Sequence, residues 1–210
     1  MADGQEIKKG RKFDQVLDGA RTVFLRDGFE GASVDDIARE AGVSKATLYS
    51  YFPDKRLLFM EVAKCECARQ ADEALEVLDL AAAPETVLRG AAERIVAFMS
   101  SEFGQGVFRI CVAESDRFPQ LGQQFYCSGP LLVRDRLADY LRLATERGQL
   151  AIDDIELAAE QFAELCKAGI HTRQIFGIED AQTPFDARRT IDGAVEMFMA
   201  RYGGRYGAKP

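Results

Sequence analysis

Apolar residues recur along this chain at intervals of three and four, and runs that alternate apolar with polar are scarce. Intervals of three and four stack side chains on one face of an α-helix, whereas a half-buried strand needs a period of two. The expectation is an all-α fold, with a small N-terminal helical head and a larger helical bundle behind it. The first stripe shows the pattern: Phe13, Leu17, Ala20 and Phe24 fall on one face of a helix expected over Arg11 to Asp27, with Gly28 as its left-handed stop. Ser33 is placed to cap a second helix, with Asp35 and Asp36 in its first turn, and Gly42 ends it. Ser44 caps a third, Lys45 to Tyr51, which Pro53 stops, and Asp54 starts a fourth that reaches about Leu80. Further helical stretches are expected near 85–103, 106–114, 120–147, 153–176 and 185–203, with a frayed tail after them.

Composition removes several classes of function. No apolar run approaches the roughly 20 residues needed to span a bilayer, and MADGQEIKKG lacks the apolar core of a secretory signal. A cytoplasmic location is expected. Five scattered cysteines make no disulfide framework. Cys65 and Cys67 are two apart, so on a helix they point to different faces, and no second cluster completes a zinc shell. With His171 as the sole histidine, neither a metal site, a cofactor nor a catalytic site is expected. The net charge of −7 is uneven, because residues 1–60 balance ten basic against ten acidic groups and the whole excess lies in 61–210. Lys8, Lys9, Arg11 and Lys12 form a local basic cluster, and screening makes local patches matter more to a phosphate backbone than the global sign.

The segment Ser33–Phe52, SVDDIAREAGVSKATLYSYF, meets the demands of a helix-turn-helix. Such a motif needs a small residue where the helices cross, a turn residue tolerant of positive φ, an apolar anchor, and a second helix with one greasy and one polar face. Ala38, Gly42 and Val43 fill the first three roles, and Leu48 with Phe52 makes the greasy side. Lys45, Ala46, Thr47, Tyr49 and Tyr51 remain for a groove or its phosphate walls. Lys45 can donate to a guanine edge or a phosphate, and the methyls of Ala46 and Thr47 can pack on thymine. The hydroxyls of Ser44, Thr47, Tyr49 and Tyr51 suit phosphate oxygens, as does Lys55 one turn on. A plain pair of bundle helices explains Ala38, Gly42, Val43 and Leu48, but not the polar face.

From Phe24 to Phe59 the chain reads F-x3-GF-x-G-x-SVDDIAREAGVSKATLYSYFPDKRLLF. That run resembles the N-terminal signature of the TetR/AcrR family of regulators. The resemblance implies a three-helix head, residues 1–55, whose third helix lies in the major groove. It also implies that Ser33 and Val34 begin a helix touching backbone, that Lys45, Ala46 and Thr47 meet bases, and that Tyr49, Tyr51 and Lys55 hold phosphates. Two positions depart from the pattern. Relatives very often carry glycine at Ala46, and some place a base-reading arginine at Asp35. The carboxylate of Asp35 either accepts from a cytosine amino group or serves the helix dipole, and the dipole is the preferred reading.

Residues 56–210 are expected to bind an effector and to dimerise. The final helix carries Ile191, Val195, Phe198 and Tyr202, and the one before it Ile155, Ala159, Phe162, Cys166, Gly169 and Phe176. Two such helices from each subunit can close a four-helix bundle, although the same stripes could serve only their own core. The family resemblance favours the homodimer, with Phe162, Cys166, Gly169, Phe176, Ile191, Val195, Phe198 and Tyr202 at the interface. The segment ESDRFPQLGQQFY resembles the AefR-like subgroup of C-terminal domains. It implies an internal site for a small, mainly hydrophobic effector, among Phe98, Met99, Phe103, Phe108, Cys111, Phe118, Phe125 and Phe162, oriented by Glu114, Arg117 or His171. Arg109, Glu114 and Arg117 read equally well as an ordinary ion-pair set. The expected function is a repressor that binds a palindromic operator as a homodimer and is released by its effector. The rivals are an activator of the same fold, an enzyme working in the apolar cavity, and a head that binds protein.

Overall fold

The structure, a computed structural model, describes residues 10–77, 80–116, 118–178 and 186–204, without side chains over 70–77. Lys8, Lys9, Arg117 and the tail from 205 lie outside the described residues. The helices are α1 (Arg11–Gly31), α2 (Val34–Glu40), α3 (Lys45–Tyr51), α4 (Lys55–Val77), α5 (Pro84–Ser100), α6 (Glu102–Glu114), α7 (Pro119–Ser128), α8 (Pro130–Glu146), α9 (Ile155–Leu165), α10 (His171–Ile175) and α11 (Ala187–Tyr202). No strand occurs among the described residues, so the chain is all-α as expected. None of these helices alone is long and apolar enough to cross a membrane. The chain divides into two compact units, Met1–Glu66 with Gly106–Phe125, and Cys67–Gln105 with Tyr126–Pro210.

In the first unit, α1 buries Phe13, Val16, Ala20, Val23 and Phe24, and kinks at Gly28. The buried stripe passes through Val16, whereas Leu17, expected on it, is only half-buried. A stripe of three-four steps is wide enough to hold either neighbour, and packing chooses between them. The helix α2 starts on Ser33, whose hydroxyl accepts from the Asp36 amide at 3.0 Å, and α3 starts on Ser44, which accepts from Thr47 at 3.1 Å. Between them Gly42 takes φ +63°. Its amide donates to the Arg39 carbonyl and that of Val43 to Ala38, the paired closure that ends helices at a left-handed residue.

The floor beneath these short helices is aromatic. Phe24 meets Phe59 edge-on at 4.9 Å, Phe29 lies 5.1 Å from Phe59, and Phe13 stacks on Phe52 at 5.4 Å. The first half of α4 adds Leu58, Met60, Val62 and Ala63 to this core. Glu66 is buried there too, and its charge is met by the Arg21 Nε at 2.7 Å. The later part of α6 and most of α7 belong to this unit: Cys111 Sγ lies 3.4 Å from Met60 Sδ, and Val107 on α6 and Leu121 on α7 are fully buried.

In the second unit, α5, α8, α9 and α11 enclose one apolar core that includes Leu88, Val96, Leu141, Phe162, Ile191 and Phe198. Phe162 meets Phe198 edge-on at 5.2 Å. Two expected helices are each divided. The stretch 120–147 breaks at Gly129, because Pro130 supplies no amide and disfavours a helical residue before it. The stretch 153–176 turns at 166–170, where Gly169 adopts φ +74°.

Gly19 marks the tightest crossing of the head. A Cβ there would lie 2.6 Å from the Ala41 amide nitrogen and 2.7 Å from its Cα, backbone that cannot swing aside. Alanine improves helix propensity by about 1 kcal/mol, but overpacking against fixed backbone costs about 1–3 kcal/mol. Gly19→Ala is therefore expected to lower the urea midpoint followed by far-UV circular dichroism, against the propensity scale. A raised midpoint would show that α2 is free to shift.

Candidate nucleic-acid interface

The third helix buries one of its own side chains, Leu48, while its C-cap Phe52 tucks under it. Leucine and phenylalanine four apart fix the rotation of α3 on the core, and that rotation decides what faces solvent. Ser44, Lys45, Ala46 and Tyr49 are exposed, and Thr47 and Tyr51 are half-buried. The Ser44 and Thr47 hydroxyls lie 2.9 Å apart. The Tyr51 ring packs edge-on against Phe13 at 5.7 Å, which holds the phenol in one orientation. Ser33 and Val34 are half-buried at the start of α2. Geometrically, then, α2 and α3 present a polar surface whose side chains are hydroxyls, two phenols, an amine and the Asp35 carboxylate.

The charged residues of the segment and of the turn after it have quite different surroundings. The Lys45 ammonium pairs with the Asp35 carboxylate, and both side chains remain largely exposed. Asp36 is engaged within α2 by Ser33 and Arg39. Lys55, expected on a phosphate, instead donates to the carbonyls of Phe29 at 2.7 Å and Ala32 at 3.0 Å, and sits 4.2 Å over the Phe29 ring. Those carbonyls follow the kink of α1 and are otherwise short of helix partners, so the amine closes the end of α1. Sequence reasoning missed this because the acceptors lie more than twenty residues upstream.

Arg56, one residue on, was not singled out either. Its guanidinium binds Asp54 at 2.6 Å and Glu114 at 2.8 Å, and lies 5.2 Å over the Phe118 ring. Hydrogen bonds to Asp54 first and Glu114 second hold it above the ordinary arginine range. Glu114 is thus an ion-pair partner, as one of its two readings allowed, and Arg56 pairs with it. Of the expected effector residues, Phe108, Cys111, Glu114, Phe118 and Phe125 fall in the first unit and Phe98, Met99, Phe103, Phe162 and His171 in the second. Phe108 and Phe125 meet edge-on at 5.9 Å. Burial first, then Lys167, holds the His171 imidazole below its usual range.

The expected interface residues divide between the core and the surface of the second unit. Phe162, Cys166, Ile191 and Val195 are buried in the core of the second unit, and Phe198, buried too, borders the open groove between α9 and α11. Burial also pushes the Cys166 thiol up to about 12. Tyr202 donates to Gln161 at 2.9 Å, and Gly169 and Phe176 are exposed. Helical spacing finds an apolar stripe, yet a helix of a two-layer body can carry two. The second stripe of α9 and α11 lines an open groove with Leu157, Leu165, Ala168, Met197 and Tyr202, flanked by Glu160, Glu164 and Arg201. The signal was present in the sequence as Leu157 and Met197, large apolar residues on otherwise polar faces.

Comparison with known proteins agrees with the all-helical fold and its N-terminal helix-turn-helix. Residues 16–62 match the family model for bacterial regulatory proteins of the tetR family, and residues 86–204 match that for the C-terminal domain of AefR-like transcriptional repressors. A solved TetR-family transcriptional regulator from Mesorhizobium loti is 30% identical with a TM-score of 0.78, over 92% of this chain and 97% of that one. The flavonoid-responsive regulator FrrA is 36% identical with a TM-score of 0.68, over 94% and 100%. The negative regulator of the biofilm operon icaADBC, IcaR of Staphylococcus aureus, is 36% identical over 52 residues, which are 25% of this chain and 28% of that protein. The curated relative is therefore matched over little more than a quarter of its length.

The two lysines can be separated by stability. Removing a charged donor from two half-buried carbonyls costs about 1.5–3 kcal/mol, whereas an exposed ion pair contributes about 0–1 kcal/mol. Lys55→Ala is expected to destabilise the head in urea unfolding by the larger amount and Lys45→Ala by no more than the smaller. Equal losses would contradict the clamp.

Proposed function

Because the chain belongs to the TetR family of transcriptional regulators, we propose that it represses transcription as a homodimer on a palindromic operator and is released by a small, mainly hydrophobic effector. The observation that carries this reading is the exposed polar face of α3, set on a buried Leu48. With α3 in a major groove, Lys45, Ala46 and Thr47 meet base edges, and Ser44, Tyr49 and Tyr51 meet phosphates together with Ser33 and Val34. The Phe13 contact holds Tyr51 ready for this task at little further entropic cost. Lys55 supports the surface from beneath, as the clamp on α1.

Dimerisation is assigned to the second stripe of α9 and α11, where Leu157 and Met197 offer apolar area between flanking charges of both signs. A two-fold interface brings a patch against its own copy, and Glu160 or Glu164 can then face the partner's Arg201. The two heads of such a dimer must match half-sites one helical turn apart, roughly 34–36 Å. An effector that binds better to a conformation with another spacing shifts the population away from DNA. FrrA is described as flavonoid-responsive, so flavonoids are the first effector class to assay with this chain.

Binding to a duplex from the chain's own upstream region, followed by fluorescence anisotropy, tests the α3 assignment. Lys45→Ala is expected to weaken specific binding by about ten- to a hundredfold, and unchanged affinity would remove α3 from the groove. Met197→Glu is expected to convert the sedimenting species from dimer to monomer while leaving helix content unchanged. A dimer that survives both Met197→Glu and Leu157→Glu would move the interface elsewhere. Reporter activity in a deletion strain separates repression from activation.

A further inference from the structure

A carboxylate on the DNA-facing side of a head requires a reason, since it is repelled by every nearby phosphate. Asp35 is such a carboxylate, two-thirds exposed and in contact with the Lys45 ammonium. The helix dipole, the reading preferred from sequence, favours a carboxylate in this first turn, but Asp36 already supplies one. That end is already closed by Ser33, which caps the Asp36 amide, and by Asp36, whose carboxylate takes the Ser33 hydroxyl and the Arg39 guanidinium. Nor does the ion pair account for it, because an exposed pair of this kind contributes little to stability. What remains is the pair's chemistry. It sets one acceptor and one donor side by side, from two different helices, on the surface that meets bases.

A G·C base pair offers the complementary edge. In the major groove guanine presents two neighbouring acceptors, N7 and O6, and cytosine presents its N4 amino donor beside them. An ammonium suits the guanine acceptors and a carboxylate the cytosine donor. At an A·T pair the single donor lies between two acceptors, so the ammonium loses its double acceptor and the carboxylate faces an oxygen or nitrogen lone pair as well. We propose that Asp35 and Lys45 act as one recognition unit that reads a G·C pair in each half-site, Lys45 on the guanine edge and Asp35 on the cytosine amino group. On this account Asp35 lowers affinity for DNA in general and raises selectivity at one position, a discrimination achieved partly by repulsion.

The proposal rests on the DNA-binding reading above, and one experiment separates the two. The full-length protein, Asp35→Ala and Asp35→Asn are each used to select duplexes from a randomised library, and affinities for the selected sites and their single-pair variants are then measured. The wild type is expected to select one strongly favoured G·C position per half-site, with about ten- to a hundredfold discrimination there. Asp35→Ala should keep the other selected positions, bind DNA at least as tightly overall, and discriminate at that pair by no more than about threefold. Asp35→Asn should admit A·T at the same place, since an amide can pair with adenine N6 and N7. Variants that select the same pair with unchanged discrimination would overturn the recognition unit and leave operator binding standing. A wild type that enriches no sequence would overturn operator binding and the unit together.

Discussion

Seven residues are too few for a helix to persist on its own hydrogen bonds, and both α2 and α3 have seven. Isolated helices below about 12–15 residues are marginal in water even when their composition is favourable. The surface offered to DNA therefore exists because Ile37, Ala38, Leu48 and Phe52 are pressed into a core built by α1 and the first half of α4. Phe13, Phe24, Phe29 and Phe59 form most of that floor. Each polar side chain on α3 owes its direction to the two apolar ones beneath it. The close approach of α2 to Gly19 adds a limit on distance, so rotation and depth are both set by packing.

Local chemistry made the head legible in advance. Ser33, Ser44, Asp54 and Gly42 act on amides and carbonyls within a few residues of themselves, and each does so where the sequence places it. The choice of Val16 over Leu17 was not legible, because neighbours on one helical turn differ by packing alone. The same limit is larger in the body. Periodicity identified the stripe through Phe162 and Phe198 but carries no information about whether the surface that covers a stripe belongs to the same chain. Breaks at Gly129 and Gly169 show the other side of this: punctuation residues were visible, yet a long apolar period ran through them.

Three cations between Lys45 and Arg56 illustrate why residue type underdetermines role. Lys45 reaches a carboxylate on the preceding helix, Lys55 two carbonyls at the end of α1, and Arg56 a carboxylate at the end of α6. Each outcome depends on what the fold brings near, and the last two partners are remote in sequence. A lysine clamped on its own backbone and a lysine open to a groove look alike in a motif. In energy they differ, because one replaces missing helix hydrogen bonds and the other is exchangeable with solvent or a base.

The attachment of Gly106–Phe125 to the first unit bears on how such proteins diversify. A reading head encoded by one contiguous stretch could be transplanted between bodies by a single crossover near residue 66. Here Arg56 would leave its Glu114 and Phe118 behind, and Met60 would lose Cys111. Recombination that ignores this would deliver a head whose Arg56 keeps only Asp54 and whose flank is exposed. New pairings of operator and effector are therefore reached more readily by point changes on α2 and α3, or by exchange of the head together with its inserted segment, than by cutting the gene once.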